Sequence, residues 1–370
     1  MIIRKVLILS FHAFNSPNKA GFHFIAEEYS KNKRVIFVTT GLSLFSRLKN
    51  DPRYYLAIES GSNKKIIKDN DSSVEFFSPV TLFHPIYFRI KLLDKVLYNL
   101  FKGYGSRVGL IEKEILSSDL IIVESCYGIM WLNFLFKKGL LFDKKIIYRV
   151  SDSLNILRVS SLLKVEEAFF LKNQVPFLVS CPSESIYHEL SNLHHNVRIH
   201  HHGISIDKLS SVELSPYKCE TKNAIFVGMS RIDYEAINVL ANSYPDFNFH
   251  LIGNINFIFE LKNIHNYGIL RYEDTIKYIQ HADIGLQTRI TEGDKSLNRS
   301  LKVQQYTYFG LPIIGPSEIN SGLINYFPYD SNNSESLISA FKRATDSLKF
   351  PELKAGIRSW EDLISDFMLS

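Results

Sequence analysis

Two short stretches carry residue types that could do chemistry. The first is YRVSDSL, Tyr148 to Leu154, in which Ser151 and Asp152 directly follow an apolar run. In an open α/β sheet the carboxyl ends of the strands face the ligand crevice. An aspartate there, ionised at neutral pH, can accept a proton from a substrate hydroxyl. The plain alternative is a helix cap, because SLNILRVSSLL follows. The second stretch is NRSLKVQQYTYFGLPIIGP, Asn298 to Pro316. Asn298 or Ser300 can cap a helix of about ten residues, with Gly310 at its C′ position and Pro312 beyond. Its first turn carries Leu301 and Lys302, and Gln305 lies three residues on along the same face. Unpaired amides, helix dipole and ammonium together suit a diphosphate, whereas a capped surface helix with a solvated lysine needs no ligand.

The elements that must position these groups read as α/β. With 370 residues, 45% hydrophobic and 22% charged, the chain suits two ordinary domains. KVLILSFH is β-rich, AGFHFIAEEYSKN shows helical spacing at Phe22, Ile25, Ala26 and Tyr29, and RVIFVTTG follows as a second strand. SDLIIVESCYG, ending in Glu124 and Ser125, then KKIIYRVSDSL and VPFLVSCPSES repeat the pattern with runs apolar throughout, as in sheets covered on both faces. After an irregular segment, NAIFVGMSRIDYEAINVLANSYPDFNFHLIGN restarts the series, and ADIGLQT and GLPIIGP continue it. The expected architecture is two Rossmann-like domains with parallel sheets facing a central cleft: 1–205, 206–350, and a C-terminal helix in 351–370 packing back toward the first domain.

Other chemistries lose ground. After VLILS comes FHAFNSP and after AIFVG comes MSRID, so neither domain opens with G-x-G-x-x-G, and no G-x-x-x-x-G-K-[ST] or H-E-x-x-H occurs. Cys126, Cys181 and Cys219 have no metal-ligand spacing and fit a reduced, cytoplasmic state. The histidines of HHNVRIHHHG alternate faces without carboxylates nearby and read as a solvated strand end rather than a metal site. The net charge of +5 is uneven: residues 1–212 hold 28 Lys and Arg against 19 Asp and Glu. A basic front half suits an anionic lipid, an anionic substrate or nucleic acid. HPIYFRIKLLDKVLYNLFKGYGSR, His84 to Arg107, interleaves aromatic and basic residues and suits either a membrane interface or a helix packed on its sheet.

The ordered series SFHAFNSPNKAGFHFI, SRLKNDPR, HP at His84, SDLIIVESCYG, YRVSDSL, HHGI, YEDTIKYIQHADIGL and SLKVQQYTYFGLP resembles the xanthan-type, GumK-like glucuronosyltransferases, inverting enzymes of the GT-B fold. The resemblance implies Asp152 as general base and Lys302 and Gln305 as diphosphate contacts. It places Gly228, Met229, Ser230 and Arg231 in the first donor-domain loop, with Leu301 at the diphosphate helix and Thr288 and Arg289 in the loop that holds the family's tyrosine. Where the family has a glutamate, this chain has Ile269. An arginine at 231 or 289 could pair with a uronate carboxylate. His12, Asn15, Glu124 and Ser151 are the acceptor-side candidates. The resemblance further implies a UDP-sugar donor, glucuronic acid as the best-matched sugar, and a lipid-linked oligosaccharide acceptor in exopolysaccharide or surface-glycan assembly. Neither metal nor cofactor nor nucleic acid is called for, and the expected location is the inner, anionic face of the cytoplasmic membrane. The rival expectations are a nucleotide-sugar epimerase without a lipid acceptor and a non-enzymatic basic nucleic-acid binder, the latter predicting steep salt dependence.

Overall fold

The computed structural model describes residues 3–17, 19–61, 65–69, 72–87, 97–99, 101–211, 214–218, 220–291 and 298–369. The middle of the basic aromatic stretch at 84–107, including Arg89, Lys91 and Lys95, lies outside the described residues, as does Cys219. The chain forms two compact units: Met1–His201 together with Trp360–Ser370, and His202–Ser359. The junction therefore falls four residues before 205/206, and the expected tail of 351–370 divides, its first nine residues belonging to the second unit.

In the first unit the strands are β1 (Lys5–Ser10), β2 (Arg34–Thr39), β3 (Leu42–Ser43), β4 (Lys65–Asp69), β5 (Ser72–Phe77), β6 (Val80–Thr81), β7 (Leu120–Val123), β8 (Lys145–Arg149), β9 (Leu178–Cys181) and β10 (Val197–Ile199). Eight of them make one sheet in the order β10-β9-β8-β7-β1-β2-β5-β4, while β3 and β6 pair separately. All its pairings are parallel except that of β4 with β5. From β1 the chain winds outward to β2 and β5 and then returns to β7 on the other side. The switch in winding direction lies between β1 and β7, where an open α/β sheet leaves a crevice at its carboxyl edge.

The apolar runs are what forces this layering. β7 is buried throughout, and helix Gly21–Ser30 buries Phe22, Ile25, Ala26 and Tyr29 as its spacing predicts. The last helix, Trp360–Leu369, belongs to this unit, with Trp360 stacked on Phe24 at 5.5 Å between centroids and Phe367 against His200 at 5.6 Å. The histidine run is a solvated strand end only in part: His195 is exposed and His201 and His202 are half-buried. His194 and His200 are buried, because Pro176 O at 2.8 Å and Ser180 Oγ at 3.0 Å satisfy their rings.

The second unit has β11 (Lys222–Gly228), β12 (Phe247–Gly253), β13 (Ile264–Asn266), β14 (Ile284–Leu286), β15 (Ile313–Pro316) and β16 (Tyr326–Tyr329). They form a wholly parallel sheet in the order β13-β12-β11-β14-β15-β16, with its switch between β11 and β14. The ends of β11 and β12 approach so closely that a Cβ on Gly253, at φ 146°, would stand 1.6 Å from the Gly228 carbonyl oxygen. Only glycine fits there.

Candidate active site

At the switch point of the first unit, β1 ends in Ser10 and β7 runs straight into Glu124. The Glu124 carboxylate is buried. One of its oxygens accepts the Ser10 hydroxyl at 2.5 Å and the Phe11 N–H at 2.9 Å. The other accepts the Ser151 hydroxyl at 2.7 Å and faces His12 Nε2 at 3.5 Å. Burial alone would raise the acid's pKa. The His12 charge and the hydrogen bonds from His12, Ser10 and Ser151 outweigh it and hold Glu124 at about 2. His12, with 41% of its side chain exposed, is desolvated in the downward direction, and Arg53 pushes the same way. Glu124 and, more weakly, Asp152 overcome both, so its pKa is raised.

Asp152 follows β8, the next strand over, so three adjacent strand ends bring His12, Glu124, Ser151 and Asp152 together. Asp152 does not cap a helix: the next one is Ser161–Lys172, capped by Ser160, and residues 152–159 are turns and extended chain. An ionised buried carboxylate thus orients an imidazole and the serine adjoining a carboxylate at the sheet edge. That is an arrangement for taking up a proton.

The pinned carboxylate has a stability consequence. A carboxyl whose folded pKa is depressed contributes stability that is complete above its ordinary value near 4.5 and is lost as pH falls toward the folded value of about 2. Glu124→Gln is therefore expected to lower unfolding free energy at pH 7 by on the order of 3 kcal/mol, at ~1.4 kcal/mol per pKa unit. Urea unfolding at pH 7 and pH 3 checks this. The deficit should shrink at pH 3, and an equal deficit at both would reject the ionised pair.

Two neighbours stand apart from the cluster. The Asn15 amide donates to Ser60 Oγ at 2.9 Å and Leu56 O at 3.3 Å, which ties its loop to helix Pro52–Ser60 instead of presenting it to an acceptor. His23 is buried; its Nδ1 accepts from Ala20 N–H and its Nε2 meets Ala13 O, each at 3.0 Å. Burial pushes it down to about 4, so it is a neutral structural ring.

In the second unit the helix spans Leu301–Tyr308, two residues shorter than its sequence suggests, because Ser300 and not Asn298 is its cap; the Ser300 side chain accepts from Val303 N–H. Gly310, at φ 67°, follows its end. Lys302 Nζ donates to Gln305 Oε1 at 2.9 Å, and Gln305, fully buried, donates to the Tyr272 hydroxyl at 2.9 Å. The ammonium also stands 5.7 Å from the centroid of the Tyr272 ring. Burial, with the Arg289 charge nearby, pulls Lys302 down to about 8.

The loops leaving β11 and β14 are zipped together. Ile232 and Arg289 form an antiparallel bridge, Ile290 N–H donates to Arg231 O at 2.9 Å, and Asp233 N–H donates to Thr288 O at 3.2 Å. A Cβ on Gly228 would lie 2.9 Å from Arg289 Nη2, so the missing side chain lets the guanidinium sit against the strand end. Met229 and Ser230 are exposed, Leu301 and Arg231 half-buried. Thr288 is different from its expected role: the side chain is fully buried, and what it offers the loop is its carbonyl. Lys302, Arg289 and the amides of a capped helix start thus belong to one carboxyl edge, a setting for an anion.

Three contributors went unrecognised in the sequence. Ser10 pins Glu124, Tyr272 orders Gln305, and Arg53 grips the Phe11 carbonyl at 2.7 Å. Tyr272 and Arg53 lie inside the family-like stretches YEDTIKYIQHADIGL and SRLKNDPR, which were the available signal.

Residues 8–173, which include every member of the Glu124 cluster, match the family described as the N-terminal domain of the glucuronosyltransferase GumK. A UDP-glucuronate:glycolipid 2-beta-glucuronosyltransferase of Xanthomonas campestris pv. campestris is 27% identical over 351 residues, covering 92% of this chain and 84% of that protein. Over residues 8–173 the chain is similar to the GumK family. Among solved structures, the UDP-forming α,α-trehalose-phosphate synthase of Burkholderia vietnamiensis superposes with a TM-score of 0.64 at 10% identity, with both chains covered completely. A trehalose-6-phosphate structure from E. coli, bound with UDP-2-fluoro glucose, gives 0.63 at 11% identity over 98% of this chain and 96% of that one. At such identity these neighbours establish the fold, GT-B, and the GumK-like relative carries the comparison of residues.

Proposed function

We propose that the chain is an inverting glycosyltransferase that moves a sugar, glucuronic acid first among candidates, from UDP to a hydroxyl of a lipid-linked oligosaccharide in surface-glycan or exopolysaccharide assembly. The observation that carries the reading is Asp152 at the carboxyl edge of β8, beside the His12–Glu124 pair, within the domain that matches the GumK family. Asp152 accepts the acceptor proton as the hydroxyl oxygen attacks the anomeric carbon from the face opposite UDP, turning an α-linked donor into a β-glycoside. Charge grows on the departing diphosphate in that transition state. Lys302 and the amides of the Ser300-capped helix meet it, and the scheme employs neither metal nor cofactor.

The acceptor's lipid places the enzyme on the inner face of the cytoplasmic membrane. In support, the front half is basic, and Leu44, Phe45, Leu48 and Ile58 stand exposed on helices Leu44–Leu48 and Pro52–Ser60 beside Arg47. Among the described residues no helix is long and apolar enough to cross a membrane. Flotation with anionic liposomes is expected to carry the protein upward at low salt, and protein left in the dense fraction would reject membrane attachment.

The decisive assay offers a panel of UDP-sugars with membrane lipid extract and follows UDP release and product mass. Transfer of a uronosyl unit in β linkage is expected. An α product would overturn inversion, and interconversion of UDP-sugars without UDP release would assign an epimerase instead.

A further inference from the structure

His12 is the member of the Glu124 cluster to which the transfer scheme gives no task. It stands two residues past β1, and its backbone N–H donates at 2.9 Å to Ser10 Oγ, the hydroxyl that also binds Glu124. Its Nε2 faces Glu124 Oε1 at 3.5 Å, and that same oxygen accepts the Ser151 hydroxyl at 2.7 Å. One carboxylate oxygen thus gathers the imidazole and the residue next to Asp152. Among the described residues no hydrogen bond reaches the other ring nitrogen, Nδ1, and 41% of the side chain is open to solvent.

A buried carboxylate behind an imidazole decides which nitrogen carries the hydrogen. Ionised Glu124 only accepts, so it holds that hydrogen on Nε2 and leaves the Nδ1 lone pair available. Held at about 2, Glu124 stays a carboxylate and is no destination for a proton itself. The charged and titratable groups around the ring come from four elements. Glu124 at the end of β7 and Asp152 after β8 favour the imidazolium, whereas Arg53 of helix Pro52–Ser60 opposes it. His23 of helix Gly21–Ser30 is neutral, its ring centroid 5.8 Å away. Two carboxylates against one guanidinium dispose the ring to take up a proton.

Aspartate is a poor resting place for the proton of a sugar hydroxyl. With ordinary values of about 3.9 and about 6.5, imidazole is more than about 10²-fold the stronger base. We infer that His12 is a second catalytic residue: its Nδ1 receives from Asp152, directly or through one water, the proton that Asp152 takes from the acceptor hydroxyl. The acceptor O–H bond breaks as the Asp152 O–H bond forms. The latter then breaks as Nδ1–H forms, which returns Asp152 to the carboxylate. The imidazolium, held against Glu124, gives its proton to solvent at its exposed edge. Glu124 acts through the ring as a positioning residue. The inference rests on the proposed transfer reaction with Asp152 as its base.

The test follows kcat against pH for the full chain and its variants, with UDP-glucuronate as donor and membrane lipid extract as acceptor. His12→Gln is expected to lose about 10²-fold in kcat while KM for UDP-glucuronate stays within about twofold. Free imidazole should restore part of the rate of His12→Ala, a response that loss of a merely structural ring would not give. Wild-type kcat should rise with pH through a midpoint above the ordinary 6.5, because only the neutral ring receives the proton and the neighbouring carboxylates raise its pKa. Glu124→Gln removes the larger of those charges, so its midpoint should fall, and His12→Gln should lack this limb. Thermal unfolding reports the fold of each variant, and the His12 variants decide the matter if Glu124→Gln does not fold. Unchanged kcat in His12→Gln, or the wild-type limb retained in it, overturns the relay. Transfer that collapses in Asp152→Asn but not in His12→Gln leaves the transferase reading standing without it. Absence of transfer by the wild type overturns that reading, and the relay with it.

Discussion

Asp152→Asn is expected to keep its UDP affinity while kcat falls about 10³-fold, the usual scale for losing a general base. Asparagine is the informative replacement. It caps helices about as well as aspartate and preserves local turn geometry, so a structural role at this position would survive the change. The chain following Asp152 stays non-helical until Ser161, which already removes the capping role its sequence suggests. Unchanged thermal unfolding with lost turnover would place the effect on the proton. Near-normal transfer would remove Asp152 from the mechanism and turn attention to His12, the other group of the cluster able to take one.

Lys302→Ala should weaken UDP binding about 10- to 100-fold, corresponding to roughly 1.5–3 kcal/mol for hydrogen bonds to a charged partner. The loss should carry a pH signature. With the ammonium already pulled down to about 8, deprotonation begins within reach of ordinary buffers. Above that value the free enzyme loses the charge that attracts the diphosphate, and wild-type affinity should decline with rising pH. The alanine variant has no such charge to lose, so its affinity should stay flat between pH 7 and 9.5. Calorimetric titration across that range checks both parts. Wild-type affinity independent of pH would mean the lysine does not bear on the phosphates.

The parts of this molecule readable from sequence were those set by neighbours along the chain. The apolar runs of β1, β7 and β8, the stripe of Phe22, Ile25, Ala26 and Tyr29, and the Ser300-to-Gly310 helix all follow from periodicity and capping. Glu124 was visible as a carboxylate at a strand end, but its partnership with Ser10 and His12 is made by β1 and β7 lying side by side, more than 100 residues apart in sequence. The same holds for Tyr272 and Gln305, and for Arg53 and the Phe11 carbonyl, whose contacts are created by packing of separate elements. Histidine misled in the other direction. Alternation on a strand argued for a solvated strand end, and a carbonyl and a hydroxyl partner from the neighbouring segments removed the penalty for burying His194 and His200.

The return of residues 360–369 to the first unit bears on how the chain is made. A ribosome delivers the N-terminal 201 residues early, yet the surfaces around Phe24 and His200 wait for Trp360 and Phe367. At roughly 5–20 residues per second that wait lasts many seconds, during which the second unit can fold to completion. The domain begun first is thus the last to be finished, and a fragment ending at His201 would leave an apolar seat open on its surface.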